Sequence, residues 1–325
     1  AEKMTKYVPS AGTILEVGSN DGFLLSALQK KGFQCLGLEP SQILVEQSRN
    51  LGVEVHQGYL DEESVFEIGK SHGEFDCVVG NNVFAHIPDL ARAIGHVKGL
   101  LKENGIFVVE VAHTVEILRK GIFDTIYHEH HSYHTLLALR PFLESLGFGL
   151  VDVEEIDTHG GSIRIIARKG TQSISGKIEE IEGMERDLGF DGPKVFEAIT
   201  EMVKKIRSGF DEAVIERGSS IIFGYAAPAK VVTFLYQVCE NPKLIEFIVD
   251  DNAMKQGKFL PGLGIPVVGS EHLQAEIRNN PGRTWVCFVF AWNLSKELKD
   301  KIKLLLPAGS EIVTFFPTMT KEILS

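Results

Sequence analysis

The 325-residue sequence predicts an α/β protein with two domains in tandem, each built on a mostly parallel sheet. Three observations lead there. The length is about twice the roughly 150 residues that one core usually serves. Short apolar runs alternate with amphipathic stretches, the pattern of βαβ units. That rhythm breaks at the His- and Tyr-rich stretch 113–134 and resumes at residue 219.

Taken in order, residues 13–17, 33–38, 53–56, 75–79 and 105–111 read as strands. Residues 21–31, 41–50 and 88–101 read as the helices between them, the second opened by a capping-type Ser41 and the third with a Pro near its start. Beyond the break, 135–146 reads as a helix ended by Gly147, and 150–156 and 162–167 as strands. The first domain is therefore expected over 1–170, with a helix-rich bridge over 171–218. The second domain, 219–325, offers strands at 221–223, 244–249, 285–290 and 311–315. Helices at 229–240, 271–279 and 295–305 separate them.

Hydrophobic residues at 44% and charged residues at 24% are ordinary globular usage, which excludes disorder, collagen and coiled coil. The net charge of −11 gives no long-range attraction for nucleic acid. A small anionic ligand remains open to local N–H groups and single basic residues. Cys35, Cys77, Cys239 and Cys287 are scattered through apolar runs, as expected of reduced thiols and not of disulfides or a zinc site. No apolar run reaches the roughly 18 residues of a membrane span, and the first ten residues hold no signal-peptide core. A cytoplasmic chain without membrane or nucleic-acid partners is the expectation. Its start at Ala1 suggests trimming or excision from something longer.

The turn Glu16-Val17-Gly18-Ser19-Asn20-Asp21-Gly22 follows the first strand and opens a helix. Its glycines let a ligand approach the backbone at the positive end of that helix. The G-x-x-x-G spacing is not the G-x-G-x-x-G of dinucleotide sites, and Glu16 would repel a pyrophosphate. Glu16 suits a ligand with a cationic amine. Glu39, ending the second strand, is placed to accept both hydroxyls of a ribose. A structural corner with a solvent-facing Glu39 is the plainer alternative.

The string Tyr127-His128-Glu129-His130-His131-Ser132-Tyr133-His134 holds four of the eleven histidines. It lacks H-E-x-x-H spacing and an obvious third ligand, so no metal is assigned. A polar loop without chemistry, or a histidine oriented by a glutamate to take a proton, are the other readings.

The Glu16, Gly18, Gly22 and Glu39 combination resembles class I S-adenosylmethionine-dependent methyltransferases, with a Rossmann-like first domain. The motifs N-N-V-F-A-H-I-P-D from Asn81, Y-H-E-H from Tyr127 and H-G-G-S-I-R from His159 are similar to those of sugar C-methyltransferases. Further matches are G-Y-A-A-P-A-K from Gly224, V-D-D-N from Val249 and A-W-N from Ala291, in a second, smaller Rossmann-like domain. The resemblance runs from about residue 13 to about residue 316.

It implies an enzyme that methylates C3 of a nucleotide-linked 4-keto-deoxysugar, with S-adenosylmethionine as donor and S-adenosylhomocysteine as product. It implies cofactor contacts at Glu16, Gly18, Asn20, Gly22, Glu39, Tyr59, Asn81 and Asn82. His130 would be the base, Tyr127 and Glu129 would hold the sugar or orient the base, and His86 would stabilise the enolate oxygen. His159, Arg164, Tyr225 and Lys230 would contact substrate, the turn 225–230 taking its diphosphate. The resemblance also brings departures. The family's N-terminal zinc-binding module is not in this sequence, which is either a short member or a segment of a longer protein. Ala226 stands for a Gly, and Val231-Val232 for Gly-Asn. O- or N-methylation of another small acceptor, or a non-catalytic cofactor-binding module, are the alternatives. The oligomeric state is not fixed by sequence.

Overall fold

The structure, a computed structural model, describes residues 2–174, 176–216 and 218–325, and not the side chain of His159. The chain forms two compact units. The first comprises Ala1–Val115 and Glu129–Gly192, the second Glu116–His128 and Pro193–Ser325.

In chain order the first stretch runs α1 (Met4–Tyr7), β1 (Thr13–Val17), α2 (Phe23–Gln29), β2 (Gln34–Glu39), α3 (Gln42–Asn50) and β3 (Glu54–Gln57). It continues with α4 (Glu62–His72), β4 (Phe75–Asn81), α5 (Leu90–Leu100), β5 (Leu101–Ala112) and α6 (Thr114–Lys120). After the His-rich stretch come α7 (Leu136–Ser145), β6 (Phe148–Ile156), β7 (Ser162–Lys169) and α8 (Lys177–Asp187). The sheet order is β3-β2-β1-β4-β5-β7-β6. It is parallel from β3 to β5, while β7 runs antiparallel to both β5 and β6. β1 and β4 are almost wholly buried, as expected of parallel strands covered on both faces. The chain turns in opposite directions from β1 and β4, so a crevice opens beyond their carboxyl ends.

The second unit holds α9 (Lys194–Glu216), β8 (Ile221–Tyr225), α10 (Lys230–Val238), β9 (Ile245–Val249) and β10 (Val267–Val268). It ends with α11 (Ser270–Asn279), β11 (Trp285–Val289), α12 (Ser295–Lys303), β12 (Glu311–Thr314) and β13 (Thr320–Ile323). Its order is β10-β9-β8-β11-β12-β13, with only β13 antiparallel. Of the two helices within the expected bridge, α8 belongs to the first unit and α9 to the second.

Some local expectations need correction. Ser41 does not cap α3 with its hydroxyl; instead its own N–H donates to Glu39 Oε1 at 3.0 Å. Pro88 precedes α5, whose cap is Asp89, accepting from Arg92 N–H at 3.0 Å. No helix among the described residues is long and apolar enough to cross a membrane.

Candidate active site

The turn after β1 is held open by left-handed backbone at Gly18 (φ 66°), Asn20 (φ 52°) and Gly22 (φ 79°). Each glycine also sits where a side chain would collide. A Cβ on Gly18 would lie 3.0 Å from Val83 Cγ2, and one on Gly22 2.8 Å from Ser48 Oγ on α3. Glu39 accepts from Asn20 N–H through Oε2 and from Ser41 N–H through Oε1, both at 3.0 Å. It is buried, not solvent-facing, and each oxygen retains a lone pair.

Glu16 accepts from Asn81 Nδ2 at 3.3 Å through Oε1, while its buried Oε2 has no partner among the described residues. Burial, with smaller contributions from Asp21 and Glu39, pushes its carboxyl up to about 8. A buried carboxyl oxygen without a partner is costly, and a cationic amine would satisfy it by drawing Glu16 into its ionised, accepting form. The residues therefore fit S-adenosylmethionine, whose amine Glu16 would hold and whose ribose Glu39 would hold. Tyr59 stands exposed just after β3, at the rim of the same strand ends.

Beyond β4, Asn82 also takes left-handed backbone (φ 54°). Its N–H donates to Glu110 O at 2.8 Å and its Nδ2 to Glu110 Oε1 at 3.2 Å. Glu110 is buried and receives Thr158 Oγ1 at 2.8 Å and Arg164 through Nη2 at 2.7 Å and Nε at 3.2 Å. Arg164, expected to contact substrate, is thus engaged by Glu110 and, at 3.4 Å, by Glu154. The cause is register: Arg164 on β7 lies directly opposite Glu110 on β5 and Glu154 on β6. Glu110 was not foreseen; an acid in the otherwise apolar run 106–111 was the available clue. The side chain of His159 lies outside the described residues.

His86 ends a short 3₁₀ turn (Phe84–His86) after β4. Its ring faces that of His130, with centroids 4.9 Å apart. His86 Nδ1 lies 2.9 Å from Glu129 O. A carbonyl only accepts, so Nδ1 carries the proton and the neutral ring has its lone pair on Nε2. The loop bearing His130 is tied down by His131 N–H to Ala85 O at 2.8 Å and Thr114 N–H to His134 O at 3.0 Å. His134 is buried and its pKa falls to about 4, through burial first and the neighbouring His130 second. It is neutral at pH 7. Tyr127 and His128 belong to the second unit, while Glu129 and His130 belong to the first.

In the second unit the turn 225–230 lies at the carboxyl end of β8, beside β11, where that sheet reverses its order. Ala226 tolerates left-handed backbone (φ 68°) where a Gly was expected. Two of the N–H groups expected to form an anion cradle there are already engaged. Ala226 N–H donates to Val249 O and Ala227 N–H to Asp250 Oδ2, both at 2.7 Å, and Pro228 has no N–H. Tyr225 is buried, its hydroxyl donating to Asp251 at 3.1 Å. Lys230 donates to Asn293 Oδ1 at 3.3 Å and stacks 3.8 Å over the Trp292 ring. Among the described residues no group of three His, Cys, Asp or Glu is arranged to hold a metal.

The strand order, the glycine turn and the acids ending β1 and β2 define a class I S-adenosylmethionine-dependent methyltransferase. A methyltransferase-domain family matches residues 2–153, and a C-methyltransferase C-terminal-domain family matches residues 157–317. The chain is 31% identical over 308 residues to the C-methyltransferase NovU of Streptomyces niveus, spanning 94% of this chain and 72% of that protein. It is 30% identical over 100 residues to a ubiquinone biosynthesis O-methyltransferase of Paramagnetospirillum magneticum, covering 30% of this chain and 39% of that one. An S-adenosylmethionine-dependent methyltransferase structure from Mesorhizobium loti aligns with TM-score 0.42 and 18% identity, over 52% of this chain and 96% of that one. The chain belongs to the S-adenosylmethionine-dependent C-methyltransferase family.

Proposed function

We propose that this chain methylates a carbon beside the ketone of a keto sugar, in the nucleotide-linked form, through an enolate. The observation that supports this most is the pairing of the His86 and His130 rings 4.9 Å apart beyond the carboxyl end of β4, in a C-methyltransferase. When bound, S-adenosylmethionine supplies an electrophilic methyl on a sulfonium. His130 takes the proton from the carbon next to the ketone, and the electron pair left behind spreads onto the carbonyl oxygen. The new C–C bond forms as the S–CH₃ bond breaks, and the ketone is restored.

His86 is proposed to steady the enolate oxygen. With Nδ1–H held by Glu129 O, it donates through Nε2 only as the imidazolium. That same tautomer favours a second reading, in which the His86 Nε2 lone pair removes the proton and His130 supplies the hydrogen bond. Tyr127 and Glu129 are proposed to hold the sugar or to orient the base. Glu16, Gly18, Asn20, Gly22, Glu39, Tyr59, Asn81 and Asn82 are proposed to line the cofactor. Within the first unit Arg164, and within the second Tyr225 and Lys230, are proposed as substrate contacts that also hold a protein neighbour.

The test is methyl transfer to a nucleotide-linked 4-keto-6-deoxyhexose, with the product read by NMR. A methyl on ring carbon is expected. His130→Ala should lower the rate by roughly 10²–10⁴-fold, the usual worth of a general base. Methylation at oxygen, or full activity in His130→Ala, contradicts the proposal. If His86→Ala is the more damaging change, the second reading takes its place.

A further inference from the structure

We propose that Glu110 is a positioning residue that fixes the side-chain amide of Asn82 in one orientation, and that Arg164 fixes Glu110. This rests on the reading of Asn82 as a cofactor contact. An asparagine amide can present either its oxygen or its NH₂ to a ligand, and the two are chemically opposite. Here the choice is made by a carboxylate. Glu110 accepts only, so Nδ2 of Asn82 must face it, at 3.2 Å. Oδ1 is thereby turned away from Glu110. The Asn82 backbone is held by the same residue, through N–H to Glu110 O at 2.8 Å, in a left-handed conformation that few residues adopt.

Glu110 in turn has little freedom. Thr158 Oγ1 shares its Oε1, and the Arg164 guanidinium grips Oε2 with two nitrogens. That two-pronged geometry is available to arginine and not to lysine. The row Asn81, Glu110, Arg164, Glu154 runs straight across β4, β5, β7 and β6, so the sheet register itself places each partner. The antiparallel end of the sheet thus reaches the cofactor crevice through one buried carboxylate. Asn81 follows the same plan on the other side, its Nδ2 given to Glu16.

The experiment is a double-mutant cycle on S-adenosylhomocysteine affinity, measured by calorimetry, with Asn82→Ala, Glu110→Gln and the pair. Each single change should weaken binding about tenfold, because glutamine offers an NH₂ that lets the Asn82 amide turn over. The pair should bind no more weakly than Asn82→Ala alone. Arg164→Lys, a milder change that keeps the charge, should cost about threefold and lose that effect in the Asn82→Ala background. It keeps the test decisive if Glu110→Gln fails to fold. Losses that multiply to about a hundredfold, or Glu110→Gln and Arg164→Lys variants that bind normally, overturn the proposal. Unchanged binding in Asn82→Ala overturns the cofactor reading of Asn82 itself, and the positioning role with it.

Discussion

At Glu16, burial first and then Asp21 and Glu39 raise the carboxyl from the ordinary carboxylate range to about 8. A ligand amine would favour the ionised form, so binding near pH 7 should release a proton. Cofactor affinity is expected to rise with pH by up to about tenfold per unit between about 4.5 and 8, then level off. Calorimetry in buffers of different ionisation enthalpy reads this directly; no proton release would contradict the assignment. In the free protein the sign is reversed. The folded state holds a proton that the unfolded chain loses, so this group's contribution to stability is full below about pH 4.5 and is lost as pH rises through about 8. Glu16→Gln should therefore stabilise the free protein at pH 8 while weakening ligand binding, as thermal melts with and without S-adenosylhomocysteine would show. Glu16 and Glu39, the acids proposed to face the ligand, stood out in the sequence from their places near strand ends. Glu110 and the commitments of Arg164 were not, because register between β5 and β7 is a tertiary property.

Among the elements, the loop between β5 and α7 depends on a residue far along the chain. Glu185 on α8 is fully buried, accepts from His113 Nε2 at 2.7 Å, and takes the N–H groups of Leu136 and Leu137 at 2.7 Å each. It thereby ties the end of β5 to the start of α7 on either side of the loop that bears His130. Breaking such a buried pair costs about 3–5 kcal/mol, so Glu185→Ala should lose that much in urea denaturation. A loss below about 1 kcal/mol would contradict this clamping. His134 behaves as a neutral aromatic ring, so His134→Phe should keep the fold, losing only the 3.1 Å contact with Ser132 Oγ. The irregular loop was legible as a break in the βαβ rhythm. α4 was not foreseen: its apolar Val65, Phe66 and Ile68 lack a clean helical period, and Phe66 is 70% exposed. The usable clue was Asp61-Glu62-Glu63, since Asp61 accepts from Ser64 N–H at 2.9 Å and caps the helix.

For the whole molecule, the four cysteines are free, three buried and Cys35 partly so. Burial raises the thiols of all four, that of Cys35 to about 11. Thiol reagents at pH 7–8 should accordingly modify the folded protein slowly and all four sites once it is denatured. Rapid modification of the native protein would contradict this burial. The central claim is carbon methylation through an enolate. It is tested most directly by incubating the protein with a nucleotide-linked 4-keto-6-deoxyhexose and S-adenosylhomocysteine in deuterated water. With no methyl to transfer, deuterium should still enter the carbon beside the ketone, and this exchange should vanish in His130→Ala. Methyl transfer from S-adenosylmethionine in the intact protein without any such exchange, or exchange that survives unchanged in both His130→Ala and His86→Ala, would contradict the account.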